Sequence, residues 1–148
     1  MISPFHIGSW SYVYTIAYRP DLVPADIKFG SWGDLWNPKL KGTIGLPDFD
    51  PSHIIYAAAL LSGAKTAKEW TVGQKKLMEL KPNIKAFYNS DATSQEKIGS
   101  GETPVQVLLS SNAYHMMSQG VKINLVVPKE GAIVGIDTVG LNKGTKNA

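Results

Sequence analysis

Histidine, cysteine and serine are the side chains that most often carry catalysis, and this sequence offers few of them in a useful arrangement. The three histidines are His6, His53 and His115, and no two of them have the i, i+4 spacing typical of a metal site. The chain has no cysteine, which excludes a thiol nucleophile and a disulfide framework. We therefore predict no metal site and no cofactor, and interpret each histidine as a partly exposed polar residue.

The sequence also lacks the motifs that position a nucleophile or a phosphate group. It contains no G-x-S-x-G, no P-loop and no G-x-G-x-x-G. Asp48 and Asp50 are spaced like a catalytic acid pair, but a turn and a helix cap explain them better, because Pro51 fits the first helical turn. Since no set of residues supports a reaction, we predict a binding protein with no catalytic residue.

Strand and helix patterns alternate along the chain, and they decide where polar side chains gather. Predicted strands cover residues 9–19, 43–46, 84–88, 104–109, 121–127 and 132–141. Predicted helices cover 31–36, 54–62, 66–80, 91–99 and 110–119, the fourth capped by Ser90 or Asp91. This order predicts an α/β fold with an open, mainly parallel sheet and helices on both faces. Ligands of such sheets bind beyond the carboxyl ends of the strands, which selects the turns after Leu46 and Leu109 and the edge near Asp137.

Composition indicates one compact domain of 148 residues. Hydrophobic residues make up 43% of the chain, which predicts a buried core and argues against disorder. The longest apolar stretch, Ile54 to Leu61, is far shorter than the roughly twenty residues of a membrane span. The net charge is +3 and no basic run exceeds Lys75–Lys76, so nucleic acid is not an expected partner.

Four segments, in order along nearly the whole chain, are similar to one protein family. Residues 31–47, SWGDLWNPKLKGTIGLP, resemble a stretch of the type II periplasmic solute-binding proteins of ABC importers, most of all their spermidine/putrescine-binding branch. Residues 14–23, 90–102 and 127–138 resemble three further segments of that branch. The resemblance implies the type II periplasmic-binding-protein fold, with residues 1–148 forming a single domain. In such a bilobal protein this domain is the second lobe, bounded by the two hinge crossings.

The resemblance also implies the partners and the location. A small polar solute, such as a polyamine, an amino-acid-like molecule or another small amine or zwitterion, binds between two lobes that close by hinge motion. The expected protein partners are the missing first lobe and an ABC transporter permease, and exposed hinge surfaces favour self-association of an isolated lobe. A periplasmic or extracytoplasmic location is implied. Residues 1–4 lack the basic start and apolar run of a signal peptide, so a processed or excised piece is expected.

Two groups of solute contacts implied by the resemblance lie where helices begin. Free N–H groups at a helix start suit an anionic group of a ligand, and polar side chains there either face the cleft or simply cap the helix. Both interpretations stay open for each group. The residues are Asp50, Ser52 and His53 in the first group, and Ser110, Ser111 and Asn112 in the second.

The remaining implied contacts are aromatic and acidic. Trp10, Tyr12 and Tyr14 alternate onto one face of the first strand, as an aromatic wall of the cleft or as core. Asp137 matches an aspartate that, in the polyamine-binding branch, pairs with an amino group of the solute, although a structural role is equally open. An aromatic residue stacks on the solute two positions earlier in that branch, and Gly135 stands there instead. This departure removes the expected wall and weakens the case for a polyamine.

Two other functions are compatible with an α/β domain of this kind. An effector-sensing domain of a transcription regulator is the alternative to transport, and an enzyme on the same fold is the third candidate. The segment 31–47 favours the transport family over the regulator, and the lack of a catalytic constellation argues against the enzyme.

Overall fold

The computed structural model describes residues 5–144. The predicted absence of a signal peptide at residues 1–4 lies outside the described residues. Within 5–144, no helix has both the length and the apolar character needed to cross a membrane.

The described chain folds into six strands and four α-helices. The strands are β1 (His6–Tyr18), β2 (Ile44–Pro47), β3 (Ile84–Tyr88), β4 (Val105–Leu109), β5 (Asn124–Val126) and β6 (Ile133–Gly140). The helices are α1 (Ser52–Leu61), α2 (Gln74–Leu80), α3 (Asp91–Ser100) and α4 (Ser110–Ser118), and short 3₁₀ helices occupy Trp32–Trp36, Pro38–Leu40, Ala67–Gly73 and Lys81–Asn83.

One predicted helix, at 66–80, is wrong as a continuous element. The segment is a 3₁₀ helix, Ala67–Gly73, followed by α2, and the 3₁₀ helix is itself kinked at Glu69, which has φ −93° and ψ 21°. Gly73, at the junction, packs so closely against α1 that an added Cβ would lie 2.5 Å from the backbone nitrogen of Ala59. The break lets the chain approach α1 at a residue without a side chain.

The sheet is open, with strand order β3-β2-β4-β1-β5, and β6 also pairs with β1. Because β2 is parallel to β3 and β4, and β1 is antiparallel to β4, β5 and β6, five of the six described strands point the same way. The prediction of an open, mainly parallel sheet is confirmed in that sense. The pairings made by β1 itself are antiparallel, which the sequence pattern did not predict.

Helices cover both faces of the sheet, as predicted, because alternate residues of each strand point to opposite sides. On one face, Ile16 and Val107 pack against Trp32, Leu35 and α1 in the larger core. On the other, Ala17 and Leu108 pack against α3 and α4 in a second core that contains Ile98, Ala113 and Met116. The three parallel strands β2, β3 and β4 therefore end at one common edge between the two helical layers.

The first half of β1 and the whole of β6 form a two-stranded ribbon that extends from the body of the sheet. His6 lies opposite Gly140, and Trp10 lies opposite Asp137. Because β4 reaches along β1 only as far as Tyr14, no described strand covers the other edge of the ribbon. Large apolar side chains on it are more than half exposed, namely Phe5, Ile7, Trp10, Val134, Ile136 and Val139.

The loop between β5 and β6 is fastened to the 3₁₀ helix at Trp32–Trp36. Ser31 Oγ donates a hydrogen bond of 2.5 Å to Glu130 Oε1, and the Trp32 backbone N–H donates one of 3.1 Å to Glu130 Oε2. Trp32 Nε1 donates to the Gly131 carbonyl at 2.8 Å. Hydrogen bonds from Ser31 and Trp32, together with nearby Lys129, outweigh the effect of partial burial and hold the pKa of Glu130 below its usual value. Two of the four family-like segments are thus in direct contact.

Candidate functional site

A cavity of about 300 Å³ opens where the carboxyl ends of β2, β3 and β4 meet the β1–β6 ribbon. Its lining combines three carboxylates with four aromatic rings and one aliphatic side chain, and it includes no lysine, arginine or histidine. The lining residues are Trp10, Tyr12, Tyr14, Phe49, Asp50, Asp91, Leu109 and Asp137. The position agrees with the rule that ligands of open α/β sheets bind beyond the strand ends.

The three carboxylates are placed by three different parts of the fold. Asp50 follows β2, and its Oδ1 accepts hydrogen bonds from the backbone N–H of Ser52 at 3.2 Å and from Ser52 Oγ at 2.6 Å. Asp91 follows β3, where the neighbouring Ser90 caps α3 by accepting a hydrogen bond from the Thr93 N–H. The Asp91 carboxylate is therefore not needed as a cap and lines the cavity instead. Asp137 lies on the ribbon, opposite Trp10.

The floor of the cavity is a row of aromatic rings along β1. Trp10, Tyr12 and Tyr14 share one face, as the alternation predicted, with ring centroids 6.1 Å apart at each step. Tyr14 is buried and also stacks on His53 at 3.7 Å. The sequence left open whether these rings form a cleft wall or part of the core. Tyr14, at the inner end of the row, packs in the core, whereas Trp10 is 54% exposed and lines the cavity.

The cavity has a strongly negative electrostatic character. Burial, followed by the charges of Asp91 and Asp50 and by neighbouring Tyr12, raises the pKa of Tyr14 to about 12. The phenol of Tyr14 is therefore neutral at physiological pH. Carboxylates beside aromatic faces attract cations through both charge and ring quadrupoles.

His53 is buried beneath the cavity and does not line it. Its Nδ1 lies 3.1 Å from the carbonyl oxygen of Asp50, to which it donates as the Nδ1–H tautomer. Burial lowers the pKa of His53, against the opposing effects of the Asp50 carbonyl and carboxylate. The prediction of a partly exposed histidine is wrong at this position, because the ring extends from the first turn of α1 and is buried against Tyr14.

The structure brings together five of the residues named from the sequence, Trp10, Tyr12, Tyr14, Asp50 and Asp137. Ser52 is close by but engaged with Asp50. The group at the start of α4 lies off the cavity lining, because α4 packs on the opposite face of the sheet from α1. This group comprises Ser110, Ser111 and Asn112; it provides no side-chain cap, and Asn112 Nδ2 is buried without a described hydrogen-bond partner.

Three lining residues were missed by sequence reasoning, namely Phe49, Asp91 and Leu109. The sequence predicts Asp91 only as a possible helix cap. The preference of serine for the cap position is the one signal that Ser90 caps the helix and that the Asp91 side chain is available for the cavity. Gly135 was expected to leave the site without an aromatic wall, yet the ring of Tyr12 occupies the space above it. Among the residues that the structure describes, no three acidic or histidine side chains are grouped to hold a metal ion.

Comparison with known proteins supplies the family. The model of the bacterial extracellular solute-binding protein family matches residues 2–148. The spermidine/putrescine-binding periplasmic protein of Escherichia coli (strain K12) is 33% identical over 122 residues, which cover 79% of this chain and 34% of that protein. The putrescine/cadaverine-binding protein of Pseudomonas aeruginosa is 26% identical over 138 residues, covering 84% and 37% of the two chains. The chain thus spans about a third of the length of the curated relatives it matches.

Solved structures of this family share the fold over nearly the whole chain. The spermidine/putrescine substrate-binding protein PotD of Streptococcus pneumoniae matches with a TM-score of 0.76 and 25% identity, covering 97% of this chain and 44% of that one. The Atu4243 GABA receptor matches with a TM-score of 0.82 and 28% identity, covering 98% and 45%. Together with the family model and the curated relatives, these matches show that the chain belongs to the bacterial extracellular solute-binding protein family and has the type II periplasmic-binding-protein fold.

Proposed function

We propose that this chain is the second lobe of a bilobal binding protein that captures a small cationic amine and delivers it to an ABC transporter permease. The observation that carries the proposal is the cavity, in which Asp50, Asp91 and Asp137 surround aromatic rings without a basic side chain in the lining. Ammonium groups are recognised by this combination, because carboxylates accept their hydrogen bonds while aromatic faces favour the positive charge.

Geometry favours an elongated amine with more than one positive charge. Asp137 lies opposite Trp10, whereas Asp50 and Asp91 act on Tyr14. At about 3.3 Å per residue of strand, Trp10 and Tyr14 are about 13 Å apart along β1. A ligand with ammonium groups toward both ends would place one near each acidic region. The names of the relatives, which bind spermidine, putrescine or cadaverine, agree with such a ligand.

An anion or a carboxylate end of a zwitterion fits the cavity less well. The N–H of Ser52 at the start of α1, which the sequence suggested for an anion, already donates to the Asp50 carboxylate. A second carboxylate from a ligand would face Asp50 and Asp91 at the same place, and like charges repel in a poorly solvated cleft. The amine part of the predicted solute class is retained in the proposal, and the anionic part is dropped.

The ribbon supports the bilobal arrangement. Both strands leave the body of the sheet side by side, as two hinge crossings would, and their apolar side chains are exposed. A first lobe that continues from this ribbon would cover them and close the open side of the cavity. In its absence, the same apolar surface favours self-association of the lobe. The spermidine/putrescine-binding relatives of Escherichia coli and Haemophilus influenzae are periplasmic proteins, and an extracytoplasmic location is proposed for this chain.

Calorimetric titration of the full gene product that contains this chain tests the proposal. The ligands are 1,4-diaminobutane, spermidine, 4-aminobutyrate and succinate, and we expect the two amines to bind tightest and succinate not to bind. Replacing Asp91 or Asp137 with asparagine should weaken amine binding about tenfold to a hundredfold, the effect of losing about 1.5–3 kcal/mol for a charged hydrogen bond.

Asp48→Asn is the matched control, since Asp48 is exposed on the same turn as Asp50 and does not line the cavity. It should leave the affinity for 1,4-diaminobutane within about twofold of that of the unmodified protein, a difference of less than 0.5 kcal/mol. Succinate binding as tight as that of the amines would contradict the proposal, and so would equal effects of Asp48→Asn and Asp91→Asn.

A further inference from the structure

The ring of Tyr12 lies directly on the backbone of Gly135, across the β1–β6 ribbon. A Cβ added at Gly135 would come within 2.1 Å of Tyr12 Cζ and 2.3 Å of its Cε2 and Oη. Gly135 does not have a positive φ, so its backbone conformation does not require glycine. The absence of a side chain matters here because it leaves room for the tyrosine ring.

Register and neighbours fix the direction in which Tyr12 leans. Tyr12 and Gly135 are direct partners in the β1–β6 ladder, one step inward from Trp10 and Asp137. Trp10 and Tyr14 flank the ring along β1, each with its centroid 6.1 Å away. The ring therefore leans toward β6, and it forms a wall of the cavity on its remaining side.

We propose that Tyr12 and Gly135 act as one specificity-determining pair, in which the glycine lets the phenol lie flat over β6 and thereby sets the room available beside Asp137. The inference rests on the proposed function, because the room in question is that for the amine. A methyl group at position 135 would force the ring off β6. With Trp10 and Tyr14 on either side, the ring would move into the cavity and shorten the path from Asp137 to Asp50 and Asp91.

A double-mutant cycle tests the pair on the full gene product, with dissociation constants of 1,4-diaminobutane and spermidine measured by calorimetry. Gly135→Ala should weaken spermidine binding at least tenfold, and diaminobutane binding less, because the longer ligand needs more of the cavity. In a protein that already carries Tyr12→Ala, the same glycine change should cost less than twofold. Equal costs in the two backgrounds would overturn the inference.

The matched control is Gly30→Ala, because a Cβ at Gly30 meets no atom within 4 Å. It should leave both dissociation constants unchanged, and an effect as large as that of Gly135→Ala would count against a specific role for the pair.

A ligand-free measurement separates this inference from the proposed function. In an NMR spectrum of the chain, the Gly135 α-protons should show an aromatic ring-current shift that disappears in Tyr12→Ala. The shift could disappear in Tyr12→Ala while the unmodified protein binds no amine. That outcome would refute the proposed function and the specificity role, but the contact between the Tyr12 ring and Gly135 would stand. A Gly135 signal unaffected by Tyr12→Ala would overturn the pair itself.

Discussion

Replacing Glu130 with glutamine breaks the contact that ties the β5–β6 loop to the 3₁₀ helix at Trp32–Trp36. The carboxylate accepts hydrogen bonds from Ser31 Oγ and from the Trp32 N–H. Glutamine keeps one acceptor oxygen but removes the negative charge, and its N–H₂ group cannot accept the second hydrogen bond. A hydrogen bond to a charged group contributes about 1.5–3 kcal/mol, and the site is only partly buried. We therefore expect a loss of about 2 kcal/mol in the free energy of unfolding.

For a chain of this size, that loss corresponds to about 6 °C in the melting temperature. Urea denaturation followed by circular dichroism measures the free energy directly. The matched control is Glu102→Gln, which removes an exposed ion pair with Lys97 and should cost less than about 1 kcal/mol.

The pH dependence gives a second, independent check. The pKa of Glu130 is lower in the folded protein than in the unfolded chain, where a glutamate titrates near about 4.3. The stabilisation by its charge is therefore fully present above that pH and is lost as the pH falls through the folded pKa. The difference between the unmodified protein and Glu130→Gln should shrink in acid. A difference no larger than that of Glu102→Gln, or one that persists unchanged at low pH, would refute this account.

Two further predictions concern the packing around α1. Gly73→Ala should destabilise the chain by about 1–3 kcal/mol in urea denaturation, because the added Cβ meets the α1 backbone at Ala59. Alanine is the better helix former, so unchanged or increased stability would contradict this contact. Burial lowers the pKa of His53, so below about pH 6.5 the unfolded chain takes up a proton first and stability falls. His53→Gln should flatten that decline between pH 8 and pH 5 while the exposed His115→Gln retains it, and an equally steep decline in both variants would show that another group is responsible.

The alternation of strands and helices was enough to predict the layered α/β fold, because local hydrophobic patterns determine which side of each strand is buried. Pairing between distant strands is not a local property. Nothing in the sequence around Tyr12 indicates that its partner is Gly135, and hence that the space left by the missing side chain is filled from β1.

In the candidate site, too, local sequence patterns predicted some features, whereas contacts between distant elements decided others. Asp50 and Asp137 were predicted because they follow or lie within strands whose ends meet at one edge. The group at Ser110, Ser111 and Asn112 also follows such a strand, but α4 turns to the opposite face, where Ala113 and Met116 are buried. The face to which a helix turns depends on packing with elements far away in the chain, so the strand-end rule alone does not decide which of these residues line the cavity.

Among the described elements, strand β1 comes first along the chain, and its partners β4, β5 and β6 all follow much later. Tyr14 pairs with Leu109, Ile16 with Val126, and His6 with Gly140, so each partner lies about a hundred residues or more further along the chain. Closing such long loops is entropically costly, and folds dominated by distant contacts acquire their structure slowly. Until β4, β5 and β6 emerge, the tyrosines and isoleucines of β1 have no sheet to join. This part of the protein should consequently stay unfolded until β4, β5 and β6 have been synthesised, and a chaperone that holds β1 during this interval would raise the yield of folded protein.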